Sequence, residues 1–569
     1  MVPLTETLVI VVAIVGAVVW RRQIRGQHDR FLTWLSERPV LAVVLAGSIG
    51  LFASVAYGFW QGIPIPGAHD EFSYLLAADT YAHGRLTNPS PPGWPHWENM
   101  HIIVQPTYMS KYPPGQGLVL ALGQVVCGLP IAGAWLSVGL AAAAMCWMLQ
   151  GYVPNGWACL AGIALGLKMS IGYWGQSYWG GALALVGGAL LFGATIRGAV
   201  RPKWYWGVVL GAGLAILSVT RPYEGLVASA VAVVIWARTV RLRERARHES
   251  GGHAETGFGA DGSSTSSARQ ALCWWCGHVS LVCAAFVVVG AALGWQAYNN
   301  FRITGAWWKL PYQVHDEQYA ACPTFFWQPE RVQPAYRHSD MEAYFVGWEH
   351  ERYLKKRWAS GFNGSVFTKA WILSIAFVGP LLAMPVLLAV WQHRVAGVWQ
   401  ALGVLGIVLL AMTQTLYLHP HYVAPFVGFV YLIAVQGFRL MRGFGRLGPA
   451  LAPALCLAAV IGPPVAGLCH PYRHGTRRSA LEKRLRAEPG DHLVLMQPGA
   501  DYDVHEGWIY NLAELSEARI LWARSLDPAA DARLIEQFPQ RTVWRLNLDR
   551  RRADLQLDTE LKPRSTGSP

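Results

Sequence analysis

The stretch Val40 to Trp60, VLAVVLAGSIGLFASVAYGFW, has no charged residue. Roughly 20 apolar residues in helical form cross the ~30 Å hydrocarbon layer of a bilayer. Lipid leaves such a segment no other way to satisfy its backbone polar groups. Beyond it stands His69-Asp70-Glu71-Phe72-Ser73-Tyr74, so two adjacent carboxylates sit just outside a membrane face. An aromatic, Pro-rich segment follows and closes on Tyr108-Met109-Ser110-Lys111-Tyr112-Pro113-Pro114-Gly115-Gln116.

The pattern extends over the chain. Of 569 residues, 53% are hydrophobic and 14% charged, against about 25% charged in a soluble domain. The expected fold is mainly α: a polytopic transmembrane bundle of about 12 spans over residues 1–469, then a small C-terminal α/β domain over 470–569. The net charge of +13 does not imply nucleic acid, because Lys and Arg are confined to short loops and form no continuous face. Most of the nine cysteines lie in apolar runs, as small core residues do. Cys273-Trp-Trp-Cys276 opens an apolar helix and has no second pair, so it supports neither a metal nor a redox site. Cys322 and Cys469 fall outside the membrane on this topology and are the pair a disulfide would join.

The first apolar segment ends at Trp20 and is followed by Arg21, Arg22 and Arg25. That order is the reverse of a cleaved signal peptide. It reads as an uncleaved anchor with its N-terminus outside and its arginines in the cytoplasm. Val40–Trp60 then runs outward, placing Asp70 and Glu71 outside. Further spans are expected at Ile131–Gln150, Trp157–Ser170, Gly180–Thr195, Tyr205–Thr220, Leu226–Trp236, Cys273–Trp295, Phe367–Trp391, Val398–Leu416, Val423–Gln436 and Ala450–Leu468, with Gly117–Cys127 too short to cross. Arg197, Arg201, Lys203, the arginines from Arg238 to Arg247, Arg394, Arg439, Arg442 and Arg446 then all fall on the inner side.

Two outer loops, 61–116 and 299–365, are far longer than connections need to be. The inner segment 239–271 is Gly- and Ser-rich from Gly251 to Ser267 and reads as a flexible linker. In the C-terminal part, strands at His492–Met496, Arg519–Ala523 and Thr542–Leu546 alternate with helices at Ser479–Ala487 and Asp531–Phe538. The basic leader Arg473–Arg486 does not oppose an outer location, since long domains translocate regardless of charge.

Four groups converge on the outer side: Asp70 and Glu71, Lys111 and Tyr112, Arg221 and Glu224, and His419, His421 and Tyr422. Adjacent carboxylates cannot aim at one point, so one is the candidate general base while the other orients it or holds an Arg. Asp70 and Glu71 are the candidate catalytic pair. Lys111, Tyr112, Arg221, Glu224, His419, His421 and Tyr422 are the candidates for binding substrate and lipid phosphate, Arg by a fork and Lys as a point charge. Most Trp and Tyr residues here suit an interfacial belt. The doubled Tyr173-Trp174 and Tyr178-Trp179 suit stacking on a sugar ring. No metal or cofactor is expected, because the Asp-Glu pair lacks a spacer and His419-Pro420-His421 adds only two imidazoles.

Asp70-Glu71 after an outward helix, Lys111-Tyr112-Pro113-Pro114 closing the loop, and the turn Thr220-Arg221-Pro222-Tyr223-Glu224 resemble the GT-C glycosyltransferases. These are integral-membrane enzymes that use polyprenyl-phosphate-linked sugars; protein O-mannosyltransferases and lipid A aminoarabinose transferases show a similar Asp-Glu. The resemblance covers roughly residues 40 to 440. It implies inverting transfer from a lipid-phosphate sugar donor to a lipid, glycan or protein acceptor, with Asp70 as base. High Trp, Arg and Ala usage suggests a Gram-negative host, in which the protein sits in the bacterial inner membrane and its outer, extracytoplasmic face is periplasmic. The extra N-terminal span and the trailing α/β domain depart from the pattern. The competing expectation is a lipid or glycan transporter or flippase, which would bury ionisable groups mid-span and break helices in related halves.

Overall fold

The computed structural model describes residues 2–251, 263–392, 395, 397–471, 476–550 and 552–558. Arg394, Arg473 and the middle of the expected linker lie outside the described residues. The flanks of that linker are helical, in Pro222–Gly251 and Ser263–Thr304.

Among the described residues, eight helices are long and apolar enough to cross a membrane, from Pro39–Gln61 to Gly448–Cys469. Shorter apolar helices stand beside them at Leu4–Val19, Pro114–Cys127, Trp204–Thr220 and Val398–Thr413. The chain is an integral membrane protein. Its bundle closes on small residues: a Cβ added to Gly139 would stand 3.0 Å from the Gly47 carbonyl oxygen, and one on Gly166 would stand 3.1 Å from Gly50 Cα. Apolar surface gains nothing by leaving lipid, so close backbone approach of this kind drives helix association. The N-terminal helix Val2–Val19 packs against Gly448–Cys469. There Glu6 and Lys168, the latter in the last turn of Asn155–Ile171, line one small internal cavity with Tyr431.

Both long loops are structured. The first contains the helix His69–Ala82 and the strands β1 (Asn88–Pro89), β2 (Ile102–Ile103) and β3 (Thr107–Ser110), antiparallel in the order β1-β3-β2. The second contains a helix at Pro311–Tyr319 and another that starts at Ser339, widens to π-helical turns over Ala343–His350 and continues to Arg357.

The C-terminal residues form a four-stranded sheet of β4 (His492–Pro498), β5 (Ile520–Arg524), β6 (Thr542–Leu548) and β7 (Ala553–Leu557), ordered β5-β4-β6-β7. The first three run parallel and β7 antiparallel. Helices Arg477–Ala487 and Pro528–Gln537 accompany them. The strand β7 is not anticipated by the sequence pattern.

A boundary at residue 470 divides the sequence but not the core. Leu493, Leu495, Leu521 and Val543 of the sheet share one apolar cluster with Phe72, Leu76, Trp97 and Tyr108 of the first loop. Phe72 stacks on Tyr510 at 4.9 Å. The buried Arg524 grips both carboxylate oxygens of Asp340 at 2.6 and 2.7 Å and donates to the Glu98 carbonyl at 2.8 Å. The sheet and both loops are therefore one folded unit on the loop face of the bundle. The expected disulfide does not form: Cys322 is buried and Cys469 exposed, both free.

Candidate active site

The site is built from the start of the His69–Ala82 helix. Successive helical residues diverge by about 100°, so the two carboxylates part company. Glu71 turns back to the helix start, where Oε2 accepts the N–H groups of Gly67 and Ala68 at 2.9 and 3.1 Å. Its Oε1 accepts the Tyr178 N–H at 3.2 Å. Burial raises its pKa against the pull of these three donors. Glu71 thus pins the helix start to the Tyr-Trp-Gly loop, with both of its oxygens engaged by backbone donors. Asp70 turns the other way, accepts the Tyr112 hydroxyl, and stays partly exposed.

The strand β3 delivers Lys111 and Tyr112, and Pro114 at the first position of the next helix stops the chain from extending further. The Tyr112 ring stacks on Tyr74 at 4.7 Å and meets the edge of Tyr312 at 5.5 Å. Lys111 is buried, with its ammonium 5.6 Å from the Tyr112 ring centre. Burial lowers its pKa, while the charges of Asp316, Glu349 and Asp70 oppose that shift.

Arg221 owes its place to Pro222, which lacks an N–H and drives its predecessor out of helical geometry. The residue sits at φ −140°, ψ 73° between two helices. Its guanidinium lies over Tyr422 at 4.6 Å and within electrostatic reach of Tyr74, Tyr312 and the buried Glu224. Glu224 and Arg221 thus lie within electrostatic reach of one another, Glu224 buried. The rings of His419 and His421 lie parallel, 5.4 Å apart. His419 is exposed and feels both Asp70 and Arg221. His421 is buried behind it, its backbone N–H donating to the Tyr173 hydroxyl at 3.1 Å. Asp70, Lys111, Tyr112, Arg221, His419 and Tyr422 are thus brought around one aromatic set.

The expected sugar-stacking rings behave differently. Trp174 and Tyr178 are 7% and 5% exposed, inside apolar clusters, and the Tyr178 hydroxyl donates to the Pro64 carbonyl at 2.8 Å. Neither has a free face. Tyr173 and Trp179 back the two histidines, with Trp179 4.7 Å from the His421 ring. Trp174 and Tyr178 of the doubled Tyr-Trp-Gly are therefore packing residues, while Tyr173 and Trp179 keep partial exposure.

The second loop supplies residues that sequence reasoning passed over. Glu349 accepts the Tyr417 hydroxyl at 2.5 Å, and burial raises its pKa. Burial acts on Asp316 in the same sense, but His315, Lys111 and Arg331 outweigh it and the net shift is downward. Three buried histidines line the back of the site. His69 has Nδ1 3.0 Å from the Tyr510 hydroxyl and Nε2 2.8 Å from the Val504 carbonyl, and burial holds it down at about 4. Burial, helped by Lys111, puts His315 at about 4 and His101 well below the usual range. The run His315-Asp316-Glu317 is visible in the sequence, yet no spacing connects it to Lys111. Among the described residues no three His, Cys, Asp or Glu side chains are placed to share a metal ion.

No protein-family model and no curated protein matches the chain. Solved structures it is similar to include the oligosaccharyltransferase of Archaeoglobus fulgidus in complex with Zn and sulfate, at 10% identity over 89% of this chain and 67% of that chain, TM-score 0.48. Others are ArnT from Cupriavidus metallidurans in the apo state and bound to undecaprenyl phosphate, at 11% and 13% identity, each over 89% of this chain and 92% of that chain, TM-score 0.46. These are GT-C glycosyltransferases, the class that the loop motifs resemble. At such values the likeness is one of general outline and assigns no residue, ligand or reaction to this chain.

Proposed function

We propose that the chain is a GT-C-type glycosyltransferase of about twelve spans that moves a sugar from a polyprenyl-phosphate donor to an acceptor hydroxyl. The observation that carries this reading is one partly exposed carboxylate, Asp70, held by the Tyr112 hydroxyl beside Lys111, Arg221 and His419. Asp70 takes the proton of the acceptor hydroxyl as its oxygen attacks the anomeric carbon. The bond to the lipid phosphate breaks on the opposite side, so configuration inverts. Negative charge grows on the departing phosphate, where the Arg221 fork and the Lys111 point charge stabilise it. Glu71 and Glu224 position the base and the arginine. The loop face is extracytoplasmic in this reading, because Arg197, Arg439 and Arg442 fall at the opposite ends of their helices.

The test is transfer from a labelled polyprenyl-phosphate sugar by the protein in lipid nanodiscs. Asp70→Asn should lower turnover by ~10²–10⁴ with an unchanged thermal midpoint. Turnover within tenfold of wild type would sink the assignment, and a flippase would translocate lipid equally well with either residue.

A further inference from the structure

A second cavity of about 340 Å³ lies between the two long loops, at the lower end of the ~300–1,000 Å³ usual for small-ligand sites. Its walls come from Trp94 and Glu98 of the first loop and from Gln318, Tyr336, Arg337 and His338 of the second. None of the residues around Asp70 lines it.

Its charge is balanced within the wall. Glu98 is 2% exposed and accepts from the Tyr319 hydroxyl at 2.9 Å, His338 Nε2 at 3.0 Å and Arg337 at 3.3 Å. Arg337 also lies over Trp94 at 4.5 Å. An anion would face this carboxylate, and a cation would compete with an arginine already in place. One polar group is unanswered: Gln318 donates to the Gln105 carbonyl at 2.9 Å, while its Oε1 is buried with no partner. A buried acceptor left in that state carries a desolvation cost, which a ligand hydroxyl would recover. Beside it the partly exposed Tyr336 ring is held rigid by a parallel stack on Phe345 at 6.1 Å. A flat apolar face next to a neutral hydrogen-bonding edge matches a pyranose, with its C–H face and hydroxyl rim.

We propose that this cleft binds a neutral saccharide, the sugar portion of the acceptor. The second half of that statement rests on the transfer reading above; the first does not. The full-length protein in nanodiscs, without lipid donor, is titrated with methyl α-mannopyranoside, methyl β-glucopyranoside and N,N′-diacetylchitobiose, followed by saturation-transfer NMR. At least one should bind with Kd on the order of 1 mM. Gln318→Leu and, independently, Tyr336→Ala should each weaken it about tenfold, Asp70→Asn should leave it unchanged, and inorganic phosphate should not compete. The half-exposed Tyr336 site serves if the Gln318 variant does not fold. Absence of binding by all three sugars, binding indifferent to both substitutions, or competition by phosphate overturns the proposal. Loss of transfer activity as the explanation for Asp70 would leave these binding results standing. In the transfer assay, an unchanged acceptor KM in the Gln318 and Tyr336 variants overturns the acceptor half.

Discussion

Asp70 and Glu98 belong to the same loop, and each accepts a tyrosine hydroxyl, Asp70 from Tyr112 and Glu98 from Tyr319. Their surroundings differ. Glu98 is closed in by His338 and Arg337, so its charge is used internally and the adjoining cleft is electrically neutral. Asp70 keeps one side open, and the cations near it, Lys111 and Arg221, touch aromatic faces instead of saturating it. A carboxylate with free capacity beside unsaturated cations suits a proton transfer next to a departing anion. A saturated carboxylate suits a wall.

The largest effect should come from exchanging each carboxylate for its amide. Asp70→Asn is expected to remove ~10²–10⁴ of turnover and little stability. Glu98→Gln should leave kcat within a few-fold and lower the thermal midpoint, because Arg337 and His338 lose their anion. Equal loss of turnover in the two variants, measured in the same transfer assay, would erase the distinction.

Next in size is the joint that holds both regions against the sheet. Arg524 and Asp340 are each 2% exposed, and removal of one partner from such a pair typically costs about 3–5 kcal/mol. Arg524→Met should show that loss in chemical unfolding. The double variant with Asp340→Leu should regain part of it, since no buried charge is then left alone. A double variant no more stable than the single one would mean that Arg524 acts through its bond to the Glu98 carbonyl.

The bundle was legible because a charge-free run such as Val40–Trp60 has one solution in lipid. Arg221 was legible for a local reason, since Pro222 dictates where its helix stops. The strands His492–Pro498 and Thr542–Leu548 showed through their apolar runs. The three short loop strands did not, as two to four residues give no periodicity. The anchoring of Glu71 was not legible because its partners are backbone N–H groups, among them that of Tyr178, 107 residues away. Glu349, Asp316 and the Glu98 cleft depend on the packing of one long loop on another, which leaves no mark in residue spacing. The buried faces of Trp174 and Tyr178 were invisible for the same reason, and composition alone made them resemble a sugar platform.

Histidines offer a third way to separate the regions. His338 in the cleft has a carboxylate partner at 3.0 Å, whereas His69 and His315 have none as close. Burial lowers both of the latter to about 4 in the folded protein, against about 6.5 in an unfolded chain. The folded state therefore binds fewer protons between these values. Stability is fully present above pH ~6.5 and falls as pH drops toward ~4, by about 3 kcal/mol for each histidine. His315 is packed among His101, Lys111 and Asp316, with Nδ1 3.7 Å from the Asp316 carboxylate. His315→Leu should accordingly flatten the acid limb of the unfolding free energy measured against pH. An unchanged slope would show that His315 binds its proton equally well in the folded and unfolded chain.

The smallest effect expected tests the cations themselves. Arg221→Lys keeps the charge but loses the planar fork and most of the contact with the Tyr422 face. If the guanidinium binds the donor phosphate in ground and transition state alike, KM for the lipid donor should rise about tenfold, roughly 1.4 kcal/mol, with kcat little changed. If it acts mainly on charge that develops as the phosphate departs, kcat should fall and KM stay put. The same exchange at Arg337, which faces a neutral cleft, should alter neither donor parameter. A donor KM that responds to Arg337→Lys as strongly as to Arg221→Lys would place the lipid phosphate between the two loops, and the contrast between an unbalanced transfer centre and a balanced cleft would fail.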